Sequence, residues 1–379
     1  MKRAVVTGLG FITSIGNSRA EVLESLRTQR SGIAIHPEFD RPEIPVKLAG
    51  TIKGFEFPSE NYETWKFPAG LTIPRQQLRS LTPHGVFAHA AMLEAIADAG
   101  LTNDLVSHDR TGLLCASAGS TLMLYRSVDV MVKKGILRCH PLGLTRTIAG
   151  TLNFNLVAGF KIRGASSGFV SACSSSAHAF GYALDLVRLG RQDIVFVVGA
   201  EDGDLFTLLP FASCRALTRA TDPTKSPCAF DVKRDGFAGT GGATVLVLEN
   251  LEHAQNRGAK IYAEAAGWGQ SSDGYDLMAP EPSGEGLARA MTSALEDASL
   301  TPNEIDYINA HGTSTPAGDR AELRAIRKVF GAGETSPLIS STKSQTGHGL
   351  SLAGALEAAI CSLALHEGFA PVSLNITEL

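Results

Sequence analysis

The second half of this 379-residue chain repeats the order of the first. The segment "AKIYAEAAGWG", a strand running into a glycine turn, parallels "RAVVTGLG" near the start. The stretch Glu285–Thr315 follows the pattern of Phe87–Thr121: helix, acidic linker, strand, then a loop of small residues. Ser341–Gly368 follows the pattern of "FVSACSSSAHAF" and the helical spacing after it, with Ala177, Phe180, Leu184 and Val187 on one face and Gly190 as the stop. Such self-similarity predicts two copies of one α/β unit about a pseudo-twofold axis. "DIVFVVGAED" and "GATVLVLEN" show almost no polar alternation, as in a sheet covered on both faces. The reading divides the chain into residues 1–252, with insertions at about 33–83 and 116–150, and residues 259–379. The second copy has only "APVSLNITEL" where the first has two late strands. Either a last strand lies outside this sequence, or the second copy is shorter, or a partner covers its edge.

Composition narrows the class. Hydrophobic residues are 44% and charged residues 19%, with 39 glycines, as in a compact α/β enzyme. The net charge of -4 gives no basic surplus for nucleic acid. Six scattered cysteines without a CxxC pair fit reduced thiols in a cytoplasmic protein, not a disulfide scaffold or zinc ribbon. The apolar start is broken by Thr7, Gly8 and Gly10, and reads as a first strand. The apolar run Leu352–Leu365 is short for a membrane span and carries Glu357. The glycines of "GLGFITSIG" miss dinucleotide spacing, G-x-S-x-G and Walker loops are absent, and His and Cys do not cluster at metal spacing. No cofactor and no metal are expected.

A few residues stand out against that background. Cys173 lies where a strand turns into a helix, so the helix N-terminus favours its thiolate; the plain alternative is a buried inert thiol. His311 follows "IDYI", at a strand end where open α/β sheets bind ligands, unless it only caps a turn. Thr313 and Thr315 offer two hydroxyls on one side. Lys343 and His348 occupy the elbow that answers the Cys173 loop, for chemistry or for an anion. Glu357 on an apolar helix needs a partner, either Lys343 or a cation.

"VSACSSSAHA", "NAHGTSTPAGDRAE" and "STKSQTGHGLSLAGALE", in that order, resemble the β-ketoacyl-acyl carrier protein synthases, and closest the bacterial type I enzymes. The resemblance implies a duplicated thiolase-like fold, five-layered α-β-α-β-α, with two mixed sheets. It implies decarboxylative condensation of malonyl-carrier with an acyl chain held on Cys173, in fatty acid elongation. It gives His311 and His348 the malonyl carbonyl, Lys343 and Glu357 supporting roles, and Thr313 and Thr315 the pantetheine arm. It also implies an acyl carrier protein partner, with Lys133, Lys134 and Arg138, or Arg215 and Arg219, as docking cations, and a homodimer pairing "DIVFVVGAED" across its twofold. The family's Gly/Phe-rich loop has no counterpart here, the same segment the repeat lacks. Leu122, Met123 and Leu124 are bulkier than the small residues of relatives and are expected to narrow the acyl pocket. A non-catalytic chain-length-factor-like subunit is the alternative, as is the same chemistry in polyene or polyketide synthesis; membrane and nucleic acid are not expected partners.

Overall fold

In the computed structural model, which describes residues 1–143, 145–333 and 336–379, the continuous apolar runs become fully covered strands. In chain order these are β1 (Ala4–Ile12), β2 (Ile33–Ile35), β3 (Leu48–Gly50), β4 (Thr111–Ala116), β5 (Ser166–Phe169), β6 (Ile194–Glu201), β7 (Gly239–Thr240), β8 (Gly242–Asn250), β9 (Ala263–Ala265), β10 (Tyr307–Asn309) and β11 (Leu338–Ser340). Every residue of β1, β4, β6 and β8 is buried. They lie in a six-stranded mixed sheet ordered β5-β4-β6-β8-β1-β9. β4 runs parallel to β5 and β6, while β8 is antiparallel to β6 and β1.

Apolar faces of helices cover this sheet. Pro83–Asp98 packs on one face, burying Val86, Met92 and Ala95 against β8 and β6. On the other face lie Ser175–Arg188 and Ala353–Glu367, side by side between the two halves of the chain. Beyond them the parallel pair β10–β11 forms the second sheet, and the helices Glu285–Ala298 and Pro316–Phe330 lie outside it. The layers follow the α-β-α-β-α order of a duplicated thiolase-like fold, although β10 and β11 are a parallel pair and not a mixed sheet, and β2, β3 and β7 form a separate three-stranded sheet.

The repeat survives in the backbone. Ala172 (φ 50°) and Leu350 (φ 52°) both take the left-handed conformation just before a central helix, so each helix is entered through a sharp elbow. The helices approach closely because Gly354 has no side chain; a Cβ there would lie 2.6 Å from the Ala177 nitrogen. The Ala355 N–H also donates to Ser176 Oγ at 2.8 Å.

Several expectations need correction. β6 is flanked on both sides by β4 and β8, so it cannot pair across a molecular twofold. The open edge is β5, whose residues are mostly exposed. β9, expected to open the second sheet, pairs with β1 at the far edge of the first. "APVSLNITEL" forms no strand; its Ser373 and Leu374 bond to Ser341 and Ser344 beside β11. The late apolar segment is helical over 18 residues, Leu350–Glu367, but most of it is buried against the first sheet, as in a core helix. Position 144 of the expected insertion 116–150 lies outside the described residues.

Candidate active site

The serines after Cys173 build its elbow. Ser174 Oγ donates to the Ser171 carbonyl at 2.7 Å and Ser175 Oγ to the Ala172 carbonyl at 2.6 Å, while Ser175 Oγ accepts from the Ser171 N–H at 2.8 Å. These bonds hold Ala172 in its left-handed conformation and present Cys173 just ahead of the helix Ser175–Arg188. The half-buried Cys173 Sγ lies 3.0 Å from His348 Nε2.

His348 is fixed through its backbone and ring. Its N–H donates to the Ala238 carbonyl at 2.8 Å, and its carbonyl accepts from Thr240 at 3.0 Å. Phe237 meets the imidazole edge-on, 4.9 Å between centres. Among the described residues His348 Nδ1 has no hydrogen-bond partner. The His311 ring stands perpendicular to that of His348, at 86° and 5.1 Å. Ligating atoms of Cys173, His311 and His348 all lie within 4.8 Å of one another. Sequence spacing excluded such a cluster, but residues from both halves make it in space.

The His311 loop is held by a residue that the sequence reading passed over. Glu322, on the helix Pro316–Phe330, accepts from the His311 N–H at 2.6 Å and the Gly312 N–H at 2.7 Å. The quoted "GDRAE" contains it; an acidic residue on the next helix facing a glycine loop was the available signal. Ser341 Oγ donates to the Gly312 carbonyl at 2.7 Å and so ties this loop to the lysine loop. Thr313 and Thr315 meet through their hydroxyls at 3.0 Å, on one side as expected. Lys343 is buried and its ammonium pairs with Glu357. This geometry answers the question of that carboxylate's partner.

Below the cysteine lies a second missed group. Glu201, fully buried at the end of β6, accepts from the Ala118 N–H at 2.9 Å and from Ser351 Oγ. Ser351 follows Leu350, so it holds the position in the second copy that Cys173 holds in the first. Burial pushes the Glu201 carboxyl up to about 7 despite these two bonds.

Electrostatics overturn one expectation. The Cys173 thiol lies above its ordinary range, because burial outweighs the lowering by Lys343, and Glu357 and Glu201 raise it further. The resting cysteine is a neutral thiol, not a helix-stabilised thiolate. Both histidines sit well below the ordinary imidazole value. Burial dominates for His348, with Lys343 and His311 adding to it. For His311 the crowding of its surroundings comes first and Lys343 second. His311 nevertheless keeps an edge open to solvent. The site thus holds a thiol beside two neutral imidazoles and an ion pair.

Of the three residues expected to narrow the pocket, Met123 is fully buried, Leu122 half-buried and Leu124 exposed.

Comparison with known proteins follows this geometry. The family model "Beta-ketoacyl synthase, N-terminal domain" matches residues 1–254, and "Beta-ketoacyl synthase, C-terminal domain" matches residues 262–377. A 3-oxoacyl-[acyl-carrier-protein] synthase 1 of Haemophilus influenzae is 45% identical over 100% of this chain and 89% of that protein. A β-ketoacyl synthase from Burkholderia phymatum superposes with a TM-score of 0.89 at 34% identity, over 100% of this chain and 90% of the other. A type II polyketide ketosynthase, solved in complex with its acyl-carrier protein, superposes at 0.85 with 26% identity, over 100% and 89%.

Proposed function

The chain belongs to the β-ketoacyl synthase family, and from that premise we propose that it is a 3-oxoacyl-[acyl-carrier-protein] synthase in which Cys173 carries the growing chain. The observation that carries the assignment is the convergence of Cys173, His348 and His311 from both halves of the chain. A chain-length-factor-like subunit has no need of a thiol in that place.

Acyl transfer comes first. The Cys173 sulfur lies 3.0 Å from His348 Nε2, and with His348 in its Nδ1–H tautomer the thiol donates to that nitrogen. As sulfur attacks the thioester carbonyl of the acyl carrier, Nε2 takes the proton and returns it to the departing pantetheine sulfur. The Cys173 backbone N–H lies beside its own sulfur and is the donor nearest the oxyanion formed there. With sulfur acylated, nothing holds His348 in that tautomer. Its Nε2–H form then donates to the malonyl thioester carbonyl together with His311.

Neutral imidazoles suit this second step, since they stabilise developing negative charge without repelling Lys343. The malonyl C–C bond breaks, carbon dioxide leaves, and the electron pair forms an enolate on the oxygen held by the two rings. The enolate carbon attacks the acyl thioester, and the tetrahedral intermediate expels the Cys173 thiolate. That thiolate takes up one proton, because burial favours the neutral thiol. Lys343, neutralised by Glu357, stiffens the loop behind His348. The Thr313 and Thr315 hydroxyls bind the amides of the pantetheine arm.

The carrier is an acidic protein docking on exposed cations. Lys133 and Lys134 end an exposed helix and Arg138 lies in the short turn after it, with Val132 and Leu137 open beside them, which favours this patch over Arg215 and Arg219. A second copy pairs at β5, where Phe154, Val170 and Tyr182 expose apolar surface near an open strand edge. The cytoplasm suits the six unpaired cysteines. Product formation from acyl- and malonyl-carrier tests the roles: His311→Ala and His348→Ala should each lose about 10²–10³ in rate. Full activity in either variant contradicts the assignment.

A further inference from the structure

The same three side chains have a second chemistry. Thiolate sulfur and two imidazole nitrogens are the donor set of a zinc-class ion, with a fourth position left for water. With Zn–S near 2.3 Å and Zn–N near 2.0 Å, tetrahedral donors lie about 3.5 Å apart. Here Sγ and Nε2 of His348 are 3.0 Å apart, and all three donors fall within 4.8 Å, so side-chain adjustments of about an ångström close a tetrahedron. The two rings are perpendicular, not stacked, and one nitrogen of each lies within 4.8 Å of the sulfur and of the other. The backbone bonds that hold His348, and the grip of Glu322 on the His311 loop, fix the donors before any ion arrives. The one nearby cation, Lys343, is paired with Glu357. His311 leaves the mouth open as the entry path.

We propose that Cys173, His311 and His348 form a thiolate–bis-imidazole site for Zn2+, in which metal and acyl chain exclude each other. Binding forms one S–metal and two N–metal bonds, and the thiol proton is released to solvent. An acylated sulfur has lost its thiolate and cannot bind, so zinc acts as a reversible inhibitor competing with the acyl donor. The binding rests on this geometry alone; only the inhibition rests on the roles proposed above.

Co2+ is the probe that reads the site directly. Added to the purified chain in a non-chelating reductant, it should give a thiolate-to-cobalt charge-transfer band that saturates at one ion per chain, with one proton released. Zn2+ should displace it. Cys173→Ala should abolish the band, His311→Ala should weaken binding at least about tenfold, and alkylating Cys173 beforehand should prevent it. Circular dichroism of each variant confirms that it is folded. No charge-transfer band in the wild type, or an undiminished band in Cys173→Ala, overturns the site. Condensation without metal binding removes this inference alone; metal binding without condensation removes the catalytic reading and leaves the site.

Discussion

Cys173 keeps its proton at rest because its surroundings are dry and the nearest carboxyls oppose a second negative charge. Iodoacetamide labelling of Cys173 should therefore keep climbing as pH passes the ordinary thiol range of about 8–9, without a plateau near neutrality. A plateau below about pH 8 would mean a stabilised thiolate–imidazolium pair. Glu201 supplies part of this field, and its own carboxyl is raised from 4.5 to about 7. A carboxyl raised by folding binds more protons in the native chain, so its contribution to stability falls as pH rises from 4.5 through about 7. Glu201→Gln should gain stability relative to the wild type between about pH 5 and pH 8, and should label faster at Cys173 near pH 8. Thermal melts and labelling rates across that range check both; a constant stability difference would contradict the buried-carboxyl reading. That Cys173, His311, His348 and Lys343 come together was legible, because each sits in a motif of small residues at an elbow or strand end. Glu201 and Glu322 were not, since their partners Ser351 and His311 are chosen by tertiary contact.

The two central helices are the elements that bring the halves together, and Gly354 is where they touch. Gly354→Ala should destabilise the fold by about 1–3 kcal/mol through overpacking, read by denaturant titration; an unchanged midpoint would show that the helices separate easily. Met123 belongs to the same scale. It packs within the core cluster of Leu152 and Leu156, so Met123→Ala should cost about 2–5 kcal/mol. A change in acyl-length preference without loss of stability would return it to the pocket wall. The long apolar strands β1, β6 and β8 were legible in the sequence because burial on both faces leaves no polar alternation. Which strand forms the edge was not. β5 is short, serine-rich and adjacent to the elbow, whereas β6 has the apolar character that invites a pairing role yet lies mid-sheet. β9 has three residues, too few to show which sheet it joins.

Cys173, His311 and His348 meet at the seam between two copies of a unit, so the assembly and carrier docking proposed above would act from outside on a site that one chain already forms. Phe154→Asp, near the β5 edge, should shift light scattering from dimer to monomer while the melting temperature of the chain changes little. A wild-type monomer, or a dimer that survives the change, would move the interface elsewhere. Reversing Lys133 and Lys134 to Glu should weaken carrier binding and flatten its salt dependence; unchanged binding would shift docking to Arg215 and Arg219. The β5 edge was not legible, because exposed valines look the same whether or not a partner covers them; the Lys133, Lys134 and Arg138 patch was named from the sequence only by way of the family resemblance. The most direct test of the central claim is the intact mass of the protein after exposure to acyl-loaded carrier, for wild type and Cys173→Ala, followed by malonyl-carrier. The account predicts one acyl adduct on the wild type, none on the variant, and discharge of the adduct as β-ketoacyl product when malonyl-carrier is added. A folded wild-type chain that takes no acyl group, or an adduct that persists in Cys173→Ala, would contradict it.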